Sequence, residues 1–167
     1  MTGGKTLSFE DSNLGKLRAK IGSTCVLVPG VRVVVSRKDG CVLMQHRSDF
    51  NRWGIPGGNA EEGEDLISVA VRETMEENGL RIWNLRPFGF ASNPEFETIT
   101  FPNGDVCQFF AMMFYTEDFD GEAAVTDAES KAVDWFPLDA LPDTLPNMRR
   151  SLEAFQAFER TGAFQMI

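Results

Sequence analysis

The amino-acid sequence predicts a single α/β domain, and three observations carry that expectation. Short β-branched or apolar runs, such as Val31-Arg-Val-Val-Val-Ser36 and Val106-Cys-Gln-Phe-Phe-Ala-Met-Met-Phe-Tyr115, recur between turn residues. Two other stretches, one from Leu66 and one from about Asn147, repeat apolar residues at helical spacing instead. The length, 167 residues, is that of one ordinary domain, and no repeat, low-complexity tract or linker divides it.

In chain order, the opening thirteen residues are polar apart from Leu7 and Phe9 and are expected to be irregular. Leu14 to Gly22 predicts one or two helical turns stopped by the glycine, so residues 1–22 form an N-terminal extension and 23–167 the domain proper. Lys16, Arg18 and Lys20 on that helix read as a solvated face rather than a phosphate site. Val31–Ser36 and Cys41–Arg47 flank Lys38-Asp-Gly40 and predict a β-hairpin. His46, the one histidine, lies on the opposite strand face from Gln45 and Arg47 and reads as a packed or surface residue. Trp53-Gly-Ile-Pro-Gly-Gly58 predicts a rigid loop. Beyond Leu80 come a short segment, Ile82 to Phe90, and a second hairpin, Phe96–Phe101 and Val106–Tyr115 around Pro102-Asn-Gly-Asp105. Ala132–Phe136 is a strand ended by Pro137. The last helix, about Asn147 to Arg160, aligns Met148, Leu152, Phe155 and Phe158 or Glu159.

Composition excludes several function classes. Acidic residues number 25 against 16 basic ones, a net charge of −9, which disfavours non-specific binding to nucleic acid or an anionic membrane. An anionic substrate would then require a bound cation. Cys25, Cys41 and Cys107 are widely spaced and make neither a disulfide framework nor a zinc site. With no long apolar run and no apolar signal core near the N-terminus, a cytoplasmic location is expected by elimination.

The helix from Leu66 carries the chemistry. On a wheel advancing about 100° per residue, Leu66, Ile67, Ala70, Val71, Thr74 and Met75 fill roughly half the circumference. Glu73, Glu76 and Glu77 cluster in an arc of about 100° at the edge of that apolar face. Arg72 is placed to pair with an acid folded back from the helix start, such as Glu64. Like charges one turn apart repel by a few tenths of a kcal/mol, so the cluster either faces water or meets a cation. Hard divalent cations take oxygen ligands, and Gly57-Gly58 lets the backbone present a carbonyl nearby. An acidic solvated face is the plain alternative.

Taken together, Gly58, five residues, Glu64, seven residues, then Arg72-Glu73-x-x-Glu76-Glu77-x-Gly79-Leu80 resembles the Nudix box of the Nudix hydrolase family. Thr74 stands where an aliphatic residue is usual, and Val69 where a small one is. The likeness extends to Trp-Gly-x-Pro-Gly-Gly before the box and Trp135-Phe-Pro-Leu-Asp-Ala-Leu141 after it. Leu14–Gly22 and the Pro-Asn-Gly-Asp hairpin look like one bacterial branch of the family.

The resemblance implies an α/β/α sandwich around a mixed sheet, and hydrolysis of a diphosphate linkage. It implies Glu73, Glu76, Glu77 and the Gly58 carbonyl as ligands of Mg²⁺, with Mn²⁺ an alternative, and an Arg72–Glu64 pair bracing the loop. The general base is a box glutamate or a loop acid, for which Glu129 is the candidate, then Asp127; an exposed loop acid is the plain reading of Glu129. Asp118-Phe-Asp-Gly121 is not a Ca²⁺ loop, its glycine coming two positions early. Arg47 and Arg52 are candidates for phosphate contact. Trp53, Phe90, Phe96 and Phe101 either stack on a base or belong to the core. The expected substrate is a small nucleotide: a nucleoside diphosphate derivative such as ADP-ribose or a sugar nucleotide, alternatively a (d)NTP cleaved to release pyrophosphate. A silent nucleotide-sensing domain is the reading from another class. The chain is expected as a monomer or homodimer.

Overall fold

The computed structural model describes residues 8–167, so the reading of residues 1–7, Leu7 included, lies outside the described residues. A 3₁₀ turn at Phe9–Asp11 precedes α1 (Asn13–Ile21). Then come β1 (Val26–Val35), β2 (Cys41–Arg47), β3 (Arg52–Gly54) and β4 (Gly57–Asn59), followed by α2 (Leu66–Asn78). β5 (Arg81–Ile82), β6 (Arg86–Ala91), α3 (Pro94–Glu97), β7 (Thr98–Thr100), β8 (Val106–Thr116) and β9 (Phe119–Asp120) continue the chain. β10 (Ser130–Pro137), α4 (Pro146–Thr161) and β11 (Gln165–Met166) complete it.

Residues 8–13 are therefore ordered, contrary to the expectation of an irregular start. Ser12 stops the 3₁₀ turn and caps α1, its Oγ accepting from the Gly15 N–H at 3.0 Å.

The main sheet runs β11-β6-β8-β1-β4, with β7 also on β8. It is mixed: β1 and β8 are parallel through ten residue pairs and β11 is parallel to β6, while β6 is antiparallel to β8 and β4 to β1. A second, antiparallel sheet runs β10-β2-β3, and β5 pairs with β9. The hairpin expected around Asp39-Gly40 is corrected by this topology. The turn exists, with the Arg37 N–H bonded to the Cys41 carbonyl at 2.8 Å, but β1 and β2 share only the Ser36–Val42 bridge. Both edges of β1 are already taken by β8 and β4, so β2 must find its ladder elsewhere.

Trp53–Gly58 is likewise not a loop. β3 pairs with β2 in the second sheet, β4 pairs with β1 in the first, and buried Ile55 with Pro56 carries the chain between them. The hairpin at Pro102–Asp105 forms, but β7 starts only at Thr98. Asn93 caps Glu95 at 3.0 Å and Pro94 opens a helical turn, which takes Phe96 and Glu97 out of the strand.

From Gly30 onward β1 is buried on both faces, which suits its Val33-Val34-Val35 run. Val31, Val33 and Val35 pack with Val69, Ala70 and Leu80 on the α2 side, and Val34 packs with Phe88, Leu152 and Phe155 on the α4 side. The result is an α/β/α sandwich. A third, smaller cluster joins Val26, Val28 and Cys107 to Leu14, Phe101 and Phe109. Among the described residues no helix is long and apolar enough to cross a membrane.

Candidate active site

α2 begins and ends on local chemistry. Asp65 accepts the N–H groups of Ile67 and Ser68, both at 2.9 Å, and Gly79 closes the helix in the left-handed conformation at φ 71°. Its buried face differs from the wheel reading. Val69, Ala70, Thr74, Glu77 and Asn78 are buried, whereas Ile67 and Met75 are exposed. The face is turned so that Glu77 lies within it and Glu73 and Glu76 lie half-buried at its rim. What allows a carboxylate inside is the Gly57 N–H, which donates to Glu77 Oε2 at 3.1 Å. Thr74 is also provided for, its hydroxyl donating to the Ala70 carbonyl at 2.8 Å.

Arg72 gathers the acids. Its Nε and Nη2 hold the two oxygens of Glu64 at 2.7 and 2.8 Å, and Nη1 lies 2.9 Å from Glu73 and 3.2 Å from Glu76. Glu64 also accepts from the Glu61 N–H at 3.1 Å, and Arg72 reaches the Asn59 carbonyl at 3.2 Å, so loop and helix are closed on each other. The backbone at Gly58 lies directly under Glu73. A Cβ there would come within 2.1 Å of the Glu73 carboxyl carbon, so a side chain at this position would displace the Glu73 carboxylate.

The electrostatics are strained toward protonation. Burial, opposed by Arg72 and reinforced by Glu76 and Glu129, raises Glu73 to about 7. Burial and the neighbouring Glu73 charge raise Glu77 to about 8. The Arg72 guanidinium holds Glu64 below the usual carboxylate range. Glu129 comes from the loop before β10, where Asp127 caps its N–H at 3.0 Å; burial raises it, opposed by Arg47. Arg47 lines the same cleft but is held bidentately by Asp49 at 3.1 and 2.8 Å.

Among the described residues no three acids, thiols or imidazoles stand as a ready-made cation cage. Glu73 and Glu76 share Arg72, and Glu77 is tied to Gly57. The donor set nonetheless fits a hard divalent cation: carboxylate oxygens and a glycine carbonyl, two of the acids disfavoured as anions until positive charge arrives.

The cleft, of about 730 Å³, brings together Gly58, Glu64, Arg72, Glu73, Glu76, Glu77, Glu129, Asp127 and Arg47. Arg52 and Trp53 are not in it. Arg52 pairs with Asp143 at 3.3 Å, and Trp53 packs edge-on against His46 and Phe136 at 5.2 and 4.7 Å between ring centres. The reason is pairing: β3 turns them toward α4 and β10 when it joins β2. Of the aromatic candidates Phe101 lines the cleft, whereas Phe96 sits outside it under Arg150 at 3.8 Å. Sequence reasoning missed Phe9, Phe50, Ile99 and Phe109 on the apolar wall, and Asn147 at the start of α4. No local pattern marks them; only the fold assembles them.

The family model for the NUDIX domain matches residues 26–155. A Bacillus subtilis (strain 168) protein, provisionally named 8-oxo-dGTP diphosphatase, is 27% identical over 128 residues, covering 76% of this chain and 78% of that one. The NAD-capped RNA hydrolase NudC of Klebsiella pneumoniae subsp. pneumoniae is 32% identical over 117 residues, 70% of this chain but 41% of that protein. This chain thus spans about two-fifths of that hydrolase's length. The crystal structure of MutT NUDIX hydrolase from Burkholderia pseudomallei superimposes with a TM-score of 0.66 at 27% identity, covering 77% of this chain and 98% of that one.

Proposed function

The chain belongs to the Nudix family and is a Nudix hydrolase, and from that premise we propose that it hydrolyses, with Mg²⁺, the diphosphate linkage of a nucleoside diphosphate derivative such as ADP-ribose or a sugar nucleotide. The observation that carries this reading is one cleft with two chemically different parts. Carboxylates and the Gly58 backbone line it together with Phe50, Phe101 and Phe109, and the volume suits a nucleotide-sized ligand.

Gly58, Glu73, Glu76 and Glu77 are the residues that would hold the cation. When bound, it supplies neutralisation of diphosphate charge and a more acidic water. The rest falls to the chain's own residues. Glu129, raised by burial and facing the cleft, is the proposed base, taking a proton from the water whose oxygen bonds to phosphorus as the bridging P–O bond breaks. Asp127 orders the Glu129 loop through its N–H groups. Arg72 holds the helix and loop together through Glu64. Arg47 is a proposed phosphate contact, available if Asp49 releases it. The free cysteines and the acidic charge suit a cytoplasmic enzyme acting on small molecules.

A second reading, cleavage of a (d)NTP to a monophosphate and pyrophosphate, is favoured by the likeness to the relative named 8-oxo-dGTP diphosphatase. A screen of nucleoside diphosphate derivatives and (d)NTPs with Mg²⁺, with product identification, separates the two. The first predicts a nucleoside monophosphate plus a phosphorylated partner group, the second inorganic pyrophosphate. Binding without turnover of any member would overturn both and favour a sensing domain.

A further inference from the structure

We propose that the N-terminal segment, Ser8 to Ile21, is a fixed wall of the substrate cleft, and that its Phe9 forms with Phe50 and Phe101 a cradle for the substrate's nucleobase. The inference rests on the proposed function for the presence of a nucleotide. The family match begins only at residue 26, so the segment lies outside the matched region.

Two sets of contacts fix the segment in place, and a third, internal one sets the position of Phe9. Arg18, buried despite being an arginine on a surface helix, donates to the carbonyls of Gly22, Thr24 and Val106 and to Cys107 Sγ at 3.1 Å, and lies 3.7 Å from Asp105. The basic group read from the sequence as a solvated face therefore includes a buried latch onto the Pro102–Asp105 hairpin. At the other end, the Asn13 N–H donates to Glu61 Oε2 at 2.7 Å, and the Glu61 N–H donates to Glu64. The segment is thereby tied to the loop that carries the Arg72 partner. Ahead of both anchors the 3₁₀ turn folds back on α1. A Cβ on Gly15 would meet the Phe9 carbonyl at 1.8 Å, so Gly15 is what lets Phe9 take its position.

Phe9 is 53% exposed, unusual for a large apolar side chain on an anchored segment, and it lines the cleft. Phe50 and Phe101 line it too, their ring centres 5.4 Å apart and tilted by 48°, with Phe109 behind Phe101 at 6.4 Å. Planar heteroaromatic rings are the natural occupant of aromatic faces that share a cleft with phosphate-handling groups. Asn103 and Asp105, bonded to each other at the hairpin turn, offer polar edges beside the rings.

The test uses the full-length protein, Phe9→Leu, which keeps apolar bulk, and Phe9→Tyr, which keeps the ring. Titration with AMP, GMP and CMP and with base-free ribose 5-phosphate reads binding; steady-state kinetics on the hydrolysed nucleotide read KM and kcat. Loss of a stacking partner is expected to raise KM and the nucleoside monophosphate Kd roughly five- to tenfold in Phe9→Leu. kcat, the ribose 5-phosphate Kd and Tm are expected to stay unchanged, and Phe9→Tyr to behave as wild type. Equal wild-type affinity for ribose 5-phosphate and the monophosphates overturns the cradle, as does an unaltered monophosphate Kd in Phe9→Leu. If wild type binds monophosphates by their base but hydrolyses no nucleotide, the proposed function fails and the cradle stands.

Discussion

Two arginines gather carboxylates in this molecule, and they do so on opposite terms. Arg32 on β1, 4% exposed in its side chain, meets one acid, Glu97, 2% exposed, through both guanidinium nitrogens, with Ser151 accepting a further bond at 3.0 Å. Arg72 on α2, 28% exposed, faces Glu64, Glu73 and Glu76, with Glu77 buried behind them. The first group is one positive against one negative charge and joins β1, α3 and α4. The second has one cation for four acids, and two of those acids are displaced toward the protonated form. Balance in a buried cluster points to architecture. An excess of one sign at a cleft points to a ligand that restores the balance.

That contrast can be broken most forcefully at Glu97. Glu97→Ala leaves Arg32 buried without its acid, and removing one partner of such a pair costs about 3–5 kcal/mol. Urea unfolding should show that loss, with Mg²⁺ affinity of the remaining folded protein unchanged; a stability within experimental error of wild type would remove Arg32–Glu97 from the framework. Glu76→Gln should do the reverse. Loss of a ligand charge is expected to lower Mg²⁺-dependent hydrolysis by at least about a hundredfold, while stability moves by less than about 1 kcal/mol because the Arg72–Glu76 pair is partly solvated. Full turnover by that variant would take Glu76 out of the site.

The smallest effect is a pH dependence of the metal-free protein. Glu73 and Glu77 ionise near 4.5 when unfolded but near 7 and 8 when folded, so between those values the folded state binds more protons. Stability therefore falls as pH rises from about 5 to 8. In EDTA, Tm should be lower at pH 8 than at pH 6, and Mg²⁺ should raise it more at pH 8. A rise in Tm across that interval without metal would contradict the charge excess.

Much of the candidate site was legible because its residues are brought together locally. Glu64, Arg72, Glu73, Glu76 and Glu77 are set by spacing along one helix and the loop before it, and Asp65 and Gly79 bound that helix through their nearest neighbours. Trp53 and Arg52 misled for the same reason. They are adjacent in sequence to Gly57-Gly58, but the crossing from β3 to β4 turns them away from the cleft. The wheel misjudged α2 because it weighed side-chain hydrophobicity alone, and could not see that the Gly57 N–H would admit Glu77 to the buried face in preference to Ile67.

From its sequence alone this chain declared its class of domain, the helix that carries the acids and the family whose box it carries, since hydrogen-bonding caps and the helical repeat act within a few residues. Only the tertiary structure decided that β1 joins β8, about eighty residues away, rather than β2 across a five-residue connection. It also decided that Arg18 reaches Val106, and that Phe9, Phe50 and Phe101 share a wall. Those outcomes depend on which distant surfaces exclude water together, and burial has no direction of its own until the whole fold supplies one.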